Sequence, residues 1–329
     1  MGNESTDTKP RRKLSVWLRS AFGIALIAVL FTVLHPREIV HALTHARMDL
    51  VAIGTLLMFL GVDARAFRWL LMLAHLGIHI GYFRALEITM ISLWFTTFLP
   101  GSLGGDIFRV YDMARASSKT LRPAVTIVTE RITGVLALLI VAVVALGLYY
   151  HSIPAPAWIM ILVITLTGLT ALGLLALLLY FREIKEIALR LVPALRRLVT
   201  DERAEALASV STELRGKPRL FVEAMLLGLL VQGLTLMSYF TLGRAIQPDI
   251  PALYFFTFVP LIEIASLLPV TINGMGLKEG LLVYSLKLSK TPEALSMSMG
   301  LLFRIASTAL ALVGGLLLLC RRSTKWKTG

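Results

Sequence analysis

Apolar runs near residues 14–34, 50–74, 121–150, 157–181, 219–243 and 293–320 approach or exceed the roughly 20 residues a helix needs to cross about 30 Å of hydrocarbon. Two more, near 85–99 and 253–269, are shorter. A lipid-embedded chain has to satisfy every backbone N–H and C=O internally, so only helices or a closed barrel are admissible. A barrel requires short segments of alternating polarity, which this sequence lacks. Only 16% of the 329 residues are charged, against about 25% in soluble domains. The chain reads as an all-α polytopic membrane protein.

The formal charge of +13 does not call for nucleic acid, because the Lys and Arg residues cluster at the ends of apolar runs. That is the pattern of cytoplasmic loops. Residues 1–13 read as a disordered basic tail, followed by a signal-anchor helix that is retained because no good cleavage site follows it. Residues 182–218 separate two halves, 14–181 and 219–320. Ile184, Ile187, Leu191, Leu195 and Leu198 recur there at helical spacing among arginines. The segment is either an amphipathic helix on the cytoplasmic membrane surface or a linker folded on the protein itself. A basic tail, 321–329, closes the chain.

Charge also constrains topology. The N-terminal tail, the segment after Gly101 and the 182–218 linker all carry clustered Lys and Arg, so all three should be cytoplasmic. Three ordinary spans cannot join the tail to that segment. The parity is restored if the segment near 85–105 enters the membrane and returns to the same side. The same conflict in the second half assigns a second re-entrant segment near 253–290, entering from the opposite face. The expected architecture is about six full spans plus two re-entrant helical hairpins, arranged as an inverted repeat. Both termini are then cytoplasmic, in the cell's inner, cytoplasmic membrane. Eight ordinary spans are the alternative. Broken segments at matching places in two halves are the pattern that marks a transporter's binding site.

Both short runs end in the same grammar. In "FLPGSLGGDIFRVYDMAR", residues 98–115, Pro100 stops the helix and Gly101, Gly104 and Gly105 shape a tight loop. Asp106 is then placed to cap a helix that carries Arg109. Amide groups at such a helix start, beside an arginine, suit an anion such as phosphate. A glycine-rich turn with a cap and no ligand would have the same sequence. In "LLPVTINGMGLKEG", Pro269, Asn273, Gly274 and Gly276 precede the pair Lys278–Glu279.

Ionisable residues inside apolar runs face a bundle interior or a cavity. Glu130 and Arg131 interrupt one run, Glu263 another and Arg304 the last; Glu263 and Arg304 are placed to pair. The candidate substrate-binding set is Arg109, Glu130, Arg131, Glu263, Asn273, Lys278, Glu279 and Arg304, with structural ion pairing as the competing role. Arg65 and Arg68 read as ion-pairing or snorkelling side chains near a cytoplasmic helix end.

No cofactor or metal is expected. Cys320 is the single cysteine, and the six histidines form no HExxH. His41 and His45 read as an interfacial pair. No nucleotide fingerprint or Ser-His-Asp pattern appears, so enzymatic chemistry is not expected.

These motifs, with "AVTIVTERITGVLALL", resemble the lysylphosphatidylglycerol synthase transmembrane region family, also called flippase-like domain proteins. The resemblance spans nearly the whole chain. The family's Leu-Pro-Gly, Gly-Asp and Arg positions fall on Leu99, Pro100, Gly101, Gly105, Asp106 and Arg109, and its Glu-Arg pair on Glu130 and Arg131. Where the family usually has Arg-Glu, this chain has Lys278–Glu279, which keeps the charge but loses the guanidinium fork. The resemblance implies movement of a phospholipid or lipid-linked phosphate between leaflets, without the soluble aminoacyltransferase domain of the full-length synthases. The expected partner is a membrane lipid substrate. The rival readings are an intramembrane enzyme on a polyprenyl-phosphate substrate, with Asp106 or Glu130 as acid or base, and a non-transporting partner of a lipid-modifying enzyme.

Overall fold

The computed structural model describes residues 36–98, 104–117, 121–149, 168–169, 172–173, 176, 218–266 and 271–321. The N-terminal tail and first expected span, Pro100, Gly101, Pro269, nearly all of the 157–181 span, the linker up to residue 217 and the tail beyond Arg321 lie outside the described residues.

Among the described residues the regular structure is entirely helical: α1 (Pro36–Thr44), α2 (Met48–His75), α3 (Tyr82–Phe98), α4 (Gly104–Ser117), α5 (Leu121–Tyr149), α6 (Pro218–Ile246), α7 (Ala252–Ala265), α8 (Leu277–Leu286) and α9 (Glu293–Cys320), with 3₁₀ turns at Ile272–Gly274 and Lys287–Ser289. Proline punctuates the starts. Pro36 and Pro218 open α1 and α6, while Pro251 and Pro292 precede α7 and α9. A missing N–H costs nothing where the helix has no acceptor for it.

Four helices have the length and apolarity to cross a membrane: Met48–His75, Pro123–Leu148, Arg219–Ile246 and Glu293–Cys320. Their outward faces keep large apolar side chains exposed, among them Leu56, Val144, Leu226 and Leu316, which in water would be a liability and in lipid is the solvated state. α3 and α7 have 17 and 14 residues. At 1.5 Å per residue they reach about 25 and 21 Å, short of a full hydrocarbon thickness. Helix α1 was not foreseen. It sits against the start of α9, with Ile39 buried among Val283, Ala294 and Met297.

α2 and α6 run antiparallel. The Arg47 N–H donates to the Ala245 carbonyl at 3.0 Å, and Ser238 Oγ donates to the Gly54 carbonyl at 2.8 Å. α3 doubles back into α4. Gly105 lies so close to Ser92 and Thr96 that a Cβ would overlap them, and Arg84 Nη2 reaches Asp112 at 3.4 Å. α7 and α8 form the second such pair, with the Tyr254 hydroxyl near the start of α7 donating to the Leu288 carbonyl just past α8 at 3.2 Å.

α9 touches both pairs. At its start Lys287 meets Glu293 at 2.9 Å, and Gly300 packs against Glu279 of α8. Toward its end Gly314 and Gly315 pack on Met90 and Trp94 of α3, and Arg321 meets Asp112 at 2.6 Å and Glu87 at 3.7 Å. The open ends of the two helix pairs therefore lie toward opposite ends of α9. A buried apolar cluster backs each pair: Trp69, Leu73, Ala85, Ile88 and Met113 behind the first, and Phe255, Val259, Ile262, Leu282 and Leu286 within the second.

Candidate functional site

The ionisable residues that interrupt the apolar runs converge. Glu130, on α5, is 6% exposed and accepts from Arg109 Nη2 of α4 at 2.6 Å. Arg68 Nη2 of α2 approaches its other oxygen at 3.3 Å, and Arg65 Nε lies 3.9 Å away. Gly134 and Gly228 make room for the Arg68 guanidinium; a Cβ on Gly228 would sit 2.9 Å from Nη1. The face of α5 that carries Thr126, Glu130 and Gly134 is thus turned to α2, where Thr126 Oγ1 also accepts from Trp69 Nε1 at 3.0 Å. Trp69 in turn lies under the Arg109 guanidinium, 4.2 Å from its ring centroid.

Asp106 does not act as the expected cap. α4 begins at Gly104, so Asp106 lies within the first turn, and its carboxylate pairs with Arg131 of α5 and, at 3.9 Å, with Arg109. An acid in a first turn still suits the helix dipole, but here its partners tie α4 to α5.

The second loop supplies its own pairs. Asn273 adopts φ 49°, and Gly274 and Gly276 have φ of 66° and 78°, left-handed backbone that favours glycine. The turn delivers Gly276 N–H to Glu279 Oε2 at 2.8 Å, capping α8. Lys278 Nζ donates to both oxygens of Glu263 at 2.8 Å, and the Tyr239 hydroxyl donates to Glu263 Oε1 at 3.0 Å. Arg304 pairs with Glu279. The expected Glu263–Arg304 pair is therefore not formed: α8 returns alongside α7 and brings Lys278 to Glu263, leaving Arg304 to the residue beside it.

Both sets line one cavity of about 570 Å³, which takes in Arg65, Arg68, Asp106, Arg109, Glu130 and Arg131 from the first half and Glu263, Asn273 and Lys278 from the second. An adjoining compartment of about 230 Å³ shares Arg65, Thr96, Glu263, Asn273 and Lys278 and extends to Glu279 and Arg304. All eight candidate binding residues thus face one connected space. Of the loop-shaping set, Asp106 lines the cavity, and Gly105 and Gly274 pack against its lining residues Thr96 and Lys278, while Pro100, Gly101 and Pro269 fall outside the described residues.

Arg65 and Arg68 form ion pairs with Glu130, one of their two expected roles, but both line the cavity rather than snorkelling at a helix end. A sequence signal was present, two arginines at i, i+3 within an apolar helix, which in lipid needs internal partners. Tyr239 and the network of Arg84, Glu87, Asp112 and Arg321 were also not foreseen. The His41 and His45 rings stack at 4.0 Å, and among the described residues no His, Cys, Asp and Glu cluster can hold a metal.

With this geometry in place, the comparison with known families is decisive. The profile described as Lysylphosphatidylglycerol synthase TM region matches residues 16–315. The chain belongs to that family. As a lysylphosphatidylglycerol synthase transmembrane region it is a multi-pass integral membrane protein of a lipid-related family, and every residue of the cavity falls within the matched span. Comparison with curated proteins gives no match.

Proposed function

We propose that this protein is a lipid translocase that lets a phosphate-bearing headgroup cross between leaflets through the cavity, without altering the lipid. The observation that carries this reading is a polar, charged cavity of about 570 Å³ walled by three of the long apolar helices, α2, α5 and α6, and by both broken segments. The barrier to headgroup movement is the desolvation of its charge, which costs several kcal/mol or more in an apolar medium. Fixed guanidinium and hydroxyl groups replace the lost water and lower that barrier.

In this reading α3–α4 and α7–α8 are re-entrant hairpins that enter from opposite faces. The Arg84–Asp112 and Tyr254–Leu288 ties, and their positions toward opposite ends of α9, support it. In this reading the face bearing Arg84, Arg219 and Arg321 is the cytoplasmic one, because the basic segment after Gly101, the 182–218 linker and the 321–329 tail all join the chain there.

Reconstitution into liposomes with fluorescent phospholipids and polyprenyl phosphates tests the reading. Translocation above that of empty vesicles is expected. Arg131→Ala should slow it by about tenfold, the loss of one charge-assisted hydrogen bond, with little change in folded yield. Rates equal to empty vesicles for every lipid would refute the proposal, and parallel loss of rate and folded yield would make Arg131 purely structural.

A further inference from the structure

The cavity has a surplus of donors and no spare acceptor carboxylate. Among the described residues its lining carries six cations, Arg65, Arg68, Arg109, Arg131, Lys278 and Arg304, against four carboxylates, Asp106, Glu130, Glu263 and Glu279. Each of those carboxylates is already paired, and Glu130, Glu263 and Glu279 are engaged through both oxygens at 3.3 Å or less. Asp106 takes Arg131 and Arg109, and Glu130 takes Arg109 and Arg68. Glu263 takes both contacts of Lys278, and Glu279 takes Arg304 and the Gly276 N–H. An ammonium arriving in this space meets no carboxylate that is not already neutralised.

The cations are not so fully used. Arg68 and Arg109, each 3% exposed, keep three nitrogens without an acceptor, Arg68 Nε and Nη1 and Arg109 Nε. Arg65 is 48% exposed along its side chain, approaches Glu130 only at 3.9 Å, and lines both compartments. The stretches that join the described helices at the two broken segments, 99–103 and 267–270, contain no Asp or Glu, nor do 14–35 and 150–181; the remaining acids outside the described residues lie in the N-terminal tail and the 182–217 linker.

From this surplus of two positive charges we infer that the cavity's ligand is a lipid phosphate monoester carrying no amine, held by Arg65. A monoester carries about −1.5 to −2 at pH 7, with its second pKa near 6, and so matches the surplus. A phosphodiester carries half that charge, and an aminoacylated diester reverses it. The inference rests on the translocase reading for the lipid nature of the ligand, but it is tested by binding.

The purified full chain in detergent is titrated with dioctanoyl phosphatidic acid, dioctanoyl phosphatidylglycerol, a short-chain lysyl-phosphatidylglycerol and sn-glycerol 3-phosphate. Phosphatidic acid should bind about tenfold more tightly than either diester, as expected for added charge-assisted contacts. Its affinity should rise between about pH 5 and 7.5, as the dianion forms. Arg65→Gln should abolish the preference without changing the elution profile or melting temperature, and Arg65→Lys should keep part of it. Equal or tighter binding of either diester, or a preference that survives Arg65→Gln, would overturn the inference. Glycerol 3-phosphate binding as tightly as phosphatidic acid would overturn its lipid part. Translocation of phosphatidylglycerol without a monoester preference would sink this inference alone, whereas a preference without translocation of any lipid would sink the translocase reading alone.

Discussion

Glu130→Gln is expected to destabilise the folded protein by about 3–5 kcal/mol, the range for removing one partner of a buried ion pair. The side chain is 6% exposed and is approached by Arg109, Arg68 and Arg65 at 2.6, 3.3 and 3.9 Å. Glutamine keeps the shape and one acceptor but leaves the three guanidiniums facing one another with their shared counter-charge gone. Thermal unfolding in detergent measures the effect. The same experiment on Glu130→Gln combined with Arg68→Gln should recover part of the loss, because one of the repelling charges leaves with the carboxylate. A single variant that melts with the wild type would show that this cluster does not hold α2, α4 and α5 together.

Gly314→Ala should be the second large effect. A Cβ at Gly314 would overlap the Met90 carbonyl of α3, and that is backbone, which no rotamer change can move. Overpacking of this kind costs about 1–3 kcal/mol and more when the obstacle is rigid. Gly233→Ala on α6 is the matched control, because nothing lies within 4 Å of its added Cβ. Replacing glycine inside a helix there should stabilise by up to about 1 kcal/mol. If both variants shift the melting temperature alike, α9 does not pack on α3 as described.

How much of this could be read in the sequence depends on the kind of information each residue carries. Glu130, Arg131 and Glu263 announced themselves because a charge in an apolar run is costly in lipid, whatever its surroundings. Their partners did not. Glu263 meets Lys278 because a tight turn with left-handed Asn273 and Gly276 carries α8 back beside α7, a three-dimensional consequence that no spacing rule encodes. Arg68 was assigned to a helix end, yet α2 continues to His75 and buries it at 3% exposure. Asp106 was read as a cap because it follows two glycines, but the helix starts at the first of them. Long apolar helices were plain in the pattern; the short α1 rests on packing against α9 and was not.

The glycine contacts of α9 have a consequence for how the two halves stay in register. Gly300 meets α8 and Gly314 meets α3, so two contact points sit about 21 Å apart along one rod at 1.5 Å per residue. A straight helix does not stretch when the surrounding bilayer thickens or thins; it tilts. The depth of one broken segment relative to the other is therefore set by a length inside the protein. The lipid around it can reorient that ruler, but it does not rescale it.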